Sequence, residues 1–335
     1  MFLLILLGVL VLAGILKLIS KKKSNNKNEK KNNNDVIMWT ENEDKYKFYK
    51  ENNRIKSLIN GVEMPKKIKL TNDIKEVCLN KDIIFIMTTA HYVGEICDKI
   101  NPYINKKTIV CIASKGIENV SCKFLSDIAY EKLKTRHIAI ISGPSFAVDM
   151  ANSYPVGLSI ASLSKKSIKL IKQSLISDSV KLRETTDLIG VQICGSIKNV
   201  IALAAGMLDG MNYPESTQSF LITESLNDIK ELIKALGGNP KTCLSFAGVG
   251  DLLLTCTSTK SRNFKFGKLV GSGALKEEKE QFLAENTVEG YYTLKSIYKL
   301  VKKKKIKMPI IDVIYKIIVN NDDPKLLVTL LINKK

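Results

Sequence analysis

The 335-residue chain is poor in several residue types that would narrow its chemistry. It has two histidines, one tryptophan and eight prolines, and its seven cysteines form no CxxC pair. With only His91 and His137 to draw on, a Ser-His-Asp triad or a histidine-bound metal has little material. The cysteines mostly fall in apolar runs and read as reduced residues of a cytosolic core, so no metal site is expected. Acidic residues are also short, with 33 against 52 lysines and arginines, which gives a net charge of +19. A basic chain can meet nucleic acid, anionic lipid or anionic metabolites. The lysines are spread along the whole length without interleaved aromatics, which argues against nucleic acid. A lysine- and asparagine-rich composition is the plainer source of the charge. No repeat of fixed period is visible. What remains, 45% hydrophobic and 25% charged residues, fits a globular protein with a real core and room for two domains.

From Asp35 onward, short apolar runs alternate with helical stretches. Strands are expected at Val36–Trp39, Ile68–Leu70, Asp82–Thr88, Thr108–Ala113, His137–Ser142, Val156–Ala161 and Val180–Glu184. Helices are expected between them at Glu43–Asn53, Asp73–Leu79, Val93–Ile100, Cys122–Lys134 and Lys165–Ile176. That alternation predicts a mostly parallel sheet wrapped on both faces. After about Thr186 the pattern becomes helical throughout, at Val191–Leu208, Ser219–Leu236, Leu283–Lys302 and Pro309–Asn320. Leu226, Ile229, Ile233 and Leu236 share one face, and Gly237, Gly238 and Pro240 then stop that helix. The division is therefore an α/β domain over 35–186 and an all-helical domain over 187–335.

Several polar residues stand where they are costly unless they work. Lys198 lies in an otherwise apolar helix, where an amine must either snorkel to the surface or face a cleft. In a cleft, desolvation and a second cation lower its pKa toward that of a proton donor. Lys115 follows a strand, at the end where doubly wound sheets place ligands. Ser142-Gly143-Pro144-Ser145 also follows a strand; it is a plain turn or a close approach to a phosphate or hydroxyl oxygen. Asp251, between Gly250 and an apolar run, could cap a helix or orient a lysine. Ser261-Arg262-Asn263 offers a hydroxyl, a forked guanidinium and an amide, a set suited to a phosphomonoester, although Ser261 also reads as a helix N-cap.

Five stretches occur in order: ASKG at 113–116, ISGPSFA at 141–147, GSIKNVIALAAG at 195–206, AGVGDLLLTCTSTKSRNFKFG at 247–267 and VEG at 288–290. Together they resemble bacterial-type NAD(P)-dependent glycerol-3-phosphate dehydrogenase, from about Val36 to the C-terminus. The resemblance implies a Rossmann-like N-terminal domain, an all-α C-terminal domain similar to that of 6-phosphogluconate dehydrogenase, and an active site in the cleft between them. It implies hydride transfer between NAD(P)H and dihydroxyacetone phosphate or sn-glycerol 3-phosphate, whose product feeds phospholipid synthesis. By the same resemblance Lys198 is the general acid/base, with Asn199 beside it. Lys115 contacts substrate and cofactor, and Gly143 and Ser145 contact substrate. Asp251 orients Lys198 and a substrate hydroxyl, Lys198 itself contacts substrate, and Ser261, Arg262 and Asn263 hold the substrate phosphate. Ala147, Arg262 and Glu289 contact the cofactor. Glu41, after the second strand, favours the free ribose hydroxyl of NAD over the phosphate of NADP.

The chain departs from that family at its start. Aligning Gly8 with the first glycine of the GxGxxG turn puts Leu10 and Ala13 on the other two. Phe2–Leu16 carries no polar side chain, and with Lys17-Leu18-Ile19 it reaches about eighteen mostly apolar residues, the short end of a membrane span. Residues 1–20 therefore read as an uncleaved membrane anchor acting through 2–19, as a degenerate first strand and helix, or as a misplaced start. The Lys/Asn tract 21–34 reads as a solvated linker with the cytoplasmic face at Lys21–Lys23. Thr88-Thr89-Ala90 replaces the family's Val-Pro-Ser, and Gln218 and Glu224 replace family arginines, which bears on cofactor affinity and on a homodimer. Two readings follow: a working dehydrogenase, cytoplasmic or held at the inner face of a membrane, and a membrane-attached relative that binds a triose phosphate without turning it over.

Overall fold

A computed structural model describes residues 2–6, 34–51, 68–175 and 177–334. The chain divides into two compact units, Met1–Ser114 with Leu125–Leu188, and Lys115–Phe124 with Ile189–Lys335.

The first unit is built on eight strands: β1 Phe2–Leu6, β2 Val36–Trp39, β3 Lys69–Thr71, β4 Ile83–Met87, β5 Ile109–Ile112, β6 Ile138–Ser142, β7 Val156–Ala161 and β8 Val180–Thr185. They lie in the order β3-β2-β1-β4-β5-β6-β7-β8. Every neighbouring pair is parallel except β6 with β7, so the sheet is mixed toward one edge. Parallel neighbours need crossovers. Among the described residues these include α1 Glu43–Glu51, α2 Ile74–Cys78, α3 Val93–Ile100 and α4 Leu125–Lys132, with α5 Ala147–Ala151 and α6 Lys165–Ser174 following β6 and β7. β4, β5 and β6 are buried at every residue, as expected for isoleucine-rich strands covered on both faces. Edge strand β8 exposes Lys181, Arg183 and Glu184 instead. Local signals set the helix starts: the Asp73 side chain accepts from Lys75 N–H at 2.8 Å, and Ser164 accepts from Ser167 N–H at 3.2 Å.

The N-terminal run is where the sequence reading changes most. Phe2–Leu6 pairs with β2 on one side and β4 on the other, in register Leu4↔Met38 and Leu4↔Phe85. The backbone groups of these five residues are used in a sheet, so the membrane-anchor expectation is corrected over them. The rest of the oily run, the glycine-turn positions Gly8, Leu10 and Ala13, and most of the 21–34 tract lie outside the described residues.

The second unit is helical. It contains α7 Leu188–Gly210, α8 Glu215–Ala235, α9 Asp251–Thr257, α10 Arg262–Gly271, α11 Lys276–Glu285, α12 Glu289–Lys303, α13 Pro309–Asn320 and α14 Lys325–Asn333. α7 is buried along nearly its whole length and forms the unit's core. Among the described residues it is also the one helix long and apolar enough to cross a membrane, and its burial inside the unit accounts for that composition. The single helix expected over Leu283–Lys302 is two helices. α11 ends with a cap at Asn286, whose side chain donates to the Phe282 carbonyl at 3.1 Å. The break puts Glu289 at the first turn of α12. α7 and α10 cross backbone against backbone. A Cβ on Gly206 would lie 2.0 Å from the Phe264 carbonyl oxygen, and one on Gly267 would lie 2.0 Å from that of Leu203. Glycine at both places lets the helices touch.

Candidate active site

The polar groups of interest fall in two sets, one in each unit. In the sheet unit they gather at the carboxyl ends of the strands. The chain runs out from β1 to β2 and β3, then returns to β4 on the other side of β1. Strand order reverses there, and open α/β sheets bind ligands outside the carboxyl ends at such a point. Four buried hydroxyls just beyond β4, just beyond β5 and at the end of β6 have no hydrogen-bond partner among the described residues: Thr88, Thr89, Ser114 and Ser142. Buried polar atoms without partners are rare and mark an edge suited to a polar ligand. Gly143 follows Ser142, and a Cβ there would lie 2.6 Å from the Gly157 carbonyl oxygen. The Ser145 hydroxyl donates to the Gly143 carbonyl at 3.2 Å, and Ala147 opens α5, buried. Glu41, two residues past β2, is paired with Lys99, which also bonds Glu95 at 2.7 Å. Its carboxylate remains half-exposed.

In the helical unit one carboxylate holds two amines. Asp251, only 1% exposed, accepts from Lys115 Nζ at 2.7 Å on one oxygen and from Lys198 Nζ on the other. Lys198 comes from the middle of α7 and is 7% exposed. Asp251 comes from the first turn of α9. The wide turn Phe246–Gly250 delivers it there, with Ser245 Oγ accepting from Gly248 N–H at 3.3 Å. Lys115 belongs to the 115–124 segment, which is tied to α12 by Ser296 Oγ donating to Asn119 at 3.0 Å. Lys198 also donates to Thr255 Oγ1 at 3.1 Å, and that hydroxyl donates to the Asp251 carbonyl at 2.6 Å. Beside this cluster, Asn199 of α7 bonds Glu289 of α12 and Asn263 of α10, each at 3.0 Å. Ser261 caps α10 by accepting from Phe264 N–H at 3.2 Å, leaving its own proton to donate. Arg262, the next residue, is partly exposed, and among the described residues no carboxylate pairs with its guanidinium.

Two amines and one carboxylate leave a surplus positive charge, which favours an anionic ligand. Burial brings the Lys198 amine down to about 8; the Asp251 carboxylate opposes that shift and the Lys115 cation adds to it. Burial pulls on Lys115 in the same direction, but the Asp251 carboxylate outweighs it and holds that amine above the ordinary lysine value. One lysine is thus set to give up a proton near neutrality, and its neighbour is set to stay charged.

Family models match both halves of the chain: the N-terminus of NAD-dependent glycerol-3-phosphate dehydrogenase over residues 26–168, and its C-terminus over 187–329. A glycerol-3-phosphate dehydrogenase [NAD(P)+] of Thermoanaerobacter sp. (strain X514) is 35% identical over 289 residues, covering 86% of this chain and 87% of that protein. The chain belongs to the NAD-dependent glycerol-3-phosphate dehydrogenase family. The Bacillus subtilis (strain 168) member of this dehydrogenase family is 34% identical over 289 residues, covering 85% of this chain and 84% of its own. The crystal structure of the Coxiella burnetii glycerol-3-phosphate dehydrogenase superposes with a TM-score of 0.90 at 27% identity, covering 99% of this chain and 98% of that one. Of the residues singled out in the sequence, the helical unit brings Lys115, Lys198 and Asp251 into contact, and Asn199, Asn263 and Glu289 into contact beside them. Gly143, Ser145, Ala147 and Glu41 belong to the sheet unit. Glu224, in place of a family arginine, bonds Lys334 at 2.8 Å near the end of this dehydrogenase-family chain. Thr255 was missed. It stands four residues after Asp251 on the same helix face, and that spacing was the available signal.

Proposed function

We propose that this chain is an oxidoreductase that moves a hydride between NAD(P)H and dihydroxyacetone phosphate or sn-glycerol 3-phosphate. The observation that carries the reading is the buried Asp251 carboxylate shared by Lys115 and Lys198. A bound nicotinamide supplies the hydride in reduction and takes it in oxidation. The chain's own residues do the rest. Lys198 Nζ gives its proton to the ketone oxygen as negative charge develops there, and recovers one from solvent. Asp251 and Thr255 fix the direction of that amine. Lys115 stays protonated and favours the alkoxide. Arg262, Asn263 and the Ser261 hydroxyl hold the phosphate. Gly143 and Ser145 contact the substrate, while Glu41, Ala147, Arg262 and Glu289 contact the dinucleotide, with Glu41 favouring NAD over NADP. The orphaned hydroxyls at the strand ends fit such a ligand. A non-catalytic triose-phosphate binder has less support, because the relatives that match most of the chain are glycerol-3-phosphate dehydrogenases.

Placement and assembly are finer parts of the reading. Seven free cysteines, six of them buried, suit a cytoplasmic protein. Attachment to the inner face of a membrane, and a homodimer, are decided by carbonate extraction and sedimentation of the full chain.

The central test follows NADH oxidation with dihydroxyacetone phosphate. Lys198→Ala should lower kcat by roughly 10²- to 10⁴-fold, the worth of a positioned acid, while NADH still binds. A wild-type protein with no turnover at millimolar cofactor would overturn the reading.

A further inference from the structure

The helical unit contains a hydrogen-bond chain that the acid–base reading does not use. Gly290 N–H donates to Asn263 Oδ1 at 2.8 Å, Asn263 Nδ2 donates to Asn199 Oδ1 at 3.0 Å, and Asn199 Nδ2 donates to Glu289 Oε2 at 3.0 Å. Its direction is fixed at one end, because a peptide N–H can only donate. Asn263 must therefore turn its oxygen to Gly290 and its nitrogen to Asn199. Asn199 must then accept with its oxygen and offer its nitrogen to Glu289, whose carboxylate accepts. Reversing either amide would set donor against donor or acceptor against acceptor. The two asparagines are 3% and 8% exposed, so the bond between them is shielded from water, while the Glu289 end is half-buried.

The backbone is shaped to the same end. A Cβ at Gly290 would lie 2.3 Å from the Asn199 carbonyl oxygen and 3.0 Å from Asn263 Oδ1. Only glycine lets that N–H reach its acceptor. Each asparagine amide has two N–H bonds and spends one in the chain, so each keeps one for a ligand.

We infer that Asn199 is a positioning residue which, together with Asn263, aims the Glu289 carboxylate, so that the amide assigned to the triose phosphate also sets cofactor affinity. The inference rests on the proposed roles of Asn263 at the substrate phosphate and Glu289 at the dinucleotide. A change at the phosphate end is then felt at the cofactor end before any triose phosphate binds.

The test is a fluorescence titration of the full-length protein with NADH alone, beside its melting curve. Asn263→Ala breaks the chain. Asn263→Asp keeps the acceptor for Gly290 but sets a charged acceptor where the donor to Asn199 stood, so it breaks the chain while still tying α10 to α12. Each should weaken NADH roughly three- to tenfold, the effect of one ordinary hydrogen bond. Asn199→Ala should do the same, and in that background neither change at 263 should weaken NADH further. NADH affinity within twofold of wild type for both 263 variants would overturn the inference, as would effects that multiply in the double variants. Those results leave the dehydrogenase reading intact if the wild type binds NADH and turns over. A wild type that binds no NADH removes both.

Discussion

The buried cluster around Lys198 in the helical unit and the strand ends of the sheet unit treat their polar groups in opposite ways. In the helical unit Lys115, Lys198, Asp251 and Thr255 bond one another, and Asn263, Asn199 and Glu289 form a closed sequence of donors and acceptors. In the sheet unit the hydroxyls of Thr88, Thr89, Ser114 and Ser142 are buried without a partner among the described residues. A fully paired buried network is rigid, whereas an unpaired buried hydroxyl costs stability. The contrast assigns different tasks. Under the proposed function, the helical unit would hold chemistry already aimed, and the sheet edge would leave the pairing of its hydroxyls to the dinucleotide.

The largest effect should come from breaking the paired side at its centre. Asp251→Asn removes the charge that two buried amines share. It should cost about 3 kcal/mol of stability, since breaking a buried ion pair leaves cations without compensation. It should also move the pH profile. Reduction needs the protonated Lys198 amine, so wild-type activity falls as pH rises through about 8. The carboxylate raises that pKa, so its loss lowers it and the fall in activity moves to lower pH. An unchanged profile would mean that another group supplies the proton.

Packing also differs between one helix contact and another, and a pair of glycine substitutions measures how much. Gly206→Ala drives a methyl into the Phe264 carbonyl where α7 meets α10, and overpacking of this kind costs about 3 kcal/mol. In the sheet unit, a methyl at Gly94 of α3 meets nothing nearer than Lys132 Cε at 3.5 Å. Gly94→Ala should therefore stabilise by about 0.5–1 kcal/mol through the unfolded chain and helix propensity. Chemical denaturation of both variants checks the pair, and equal shifts would remove the distinction.

The sequence showed these regions unevenly. Ile83–Met87 and Ile109–Ile112 announce themselves because a buried parallel strand is apolar at every position. Phe2–Leu6 is also apolar throughout and pairs within the sheet, yet it continues into a longer oily run, and periodicity cannot tell a sheet strand from a membrane span. Lys198 could be read because an amine in an apolar helix is conspicuous. Asp251 could be matched to it only through the family resemblance, since 53 residues separate them, and Thr255 was not read at all. The asparagine chain was less visible still. Asn263 and Asn199 are 64 residues apart, and the break before Glu289 was read as continuous helix. Local composition finds groups that are costly where they stand; it does not report which distant group offsets the cost.

The smallest effect is the most direct probe of the unpaired side. Thr88→Val keeps the shape of the side chain and removes one orphaned hydroxyl. Without ligand the variant should be as stable as wild type or more stable by about 1 kcal/mol, because an unmade hydrogen bond in the interior is a penalty that valine does not carry. With NADH the sign should reverse. If the hydroxyl pairs with the dinucleotide, its loss weakens NADH a few-fold, and the ligand-induced rise in melting temperature shrinks by the same margin. The two measurements must move in opposite directions for the sheet edge to be a binding edge. A variant that gains stability and keeps its NADH affinity would make Thr88 a tolerated defect of the core, and the contrast between the units would then rest on Thr89, Ser114 and Ser142.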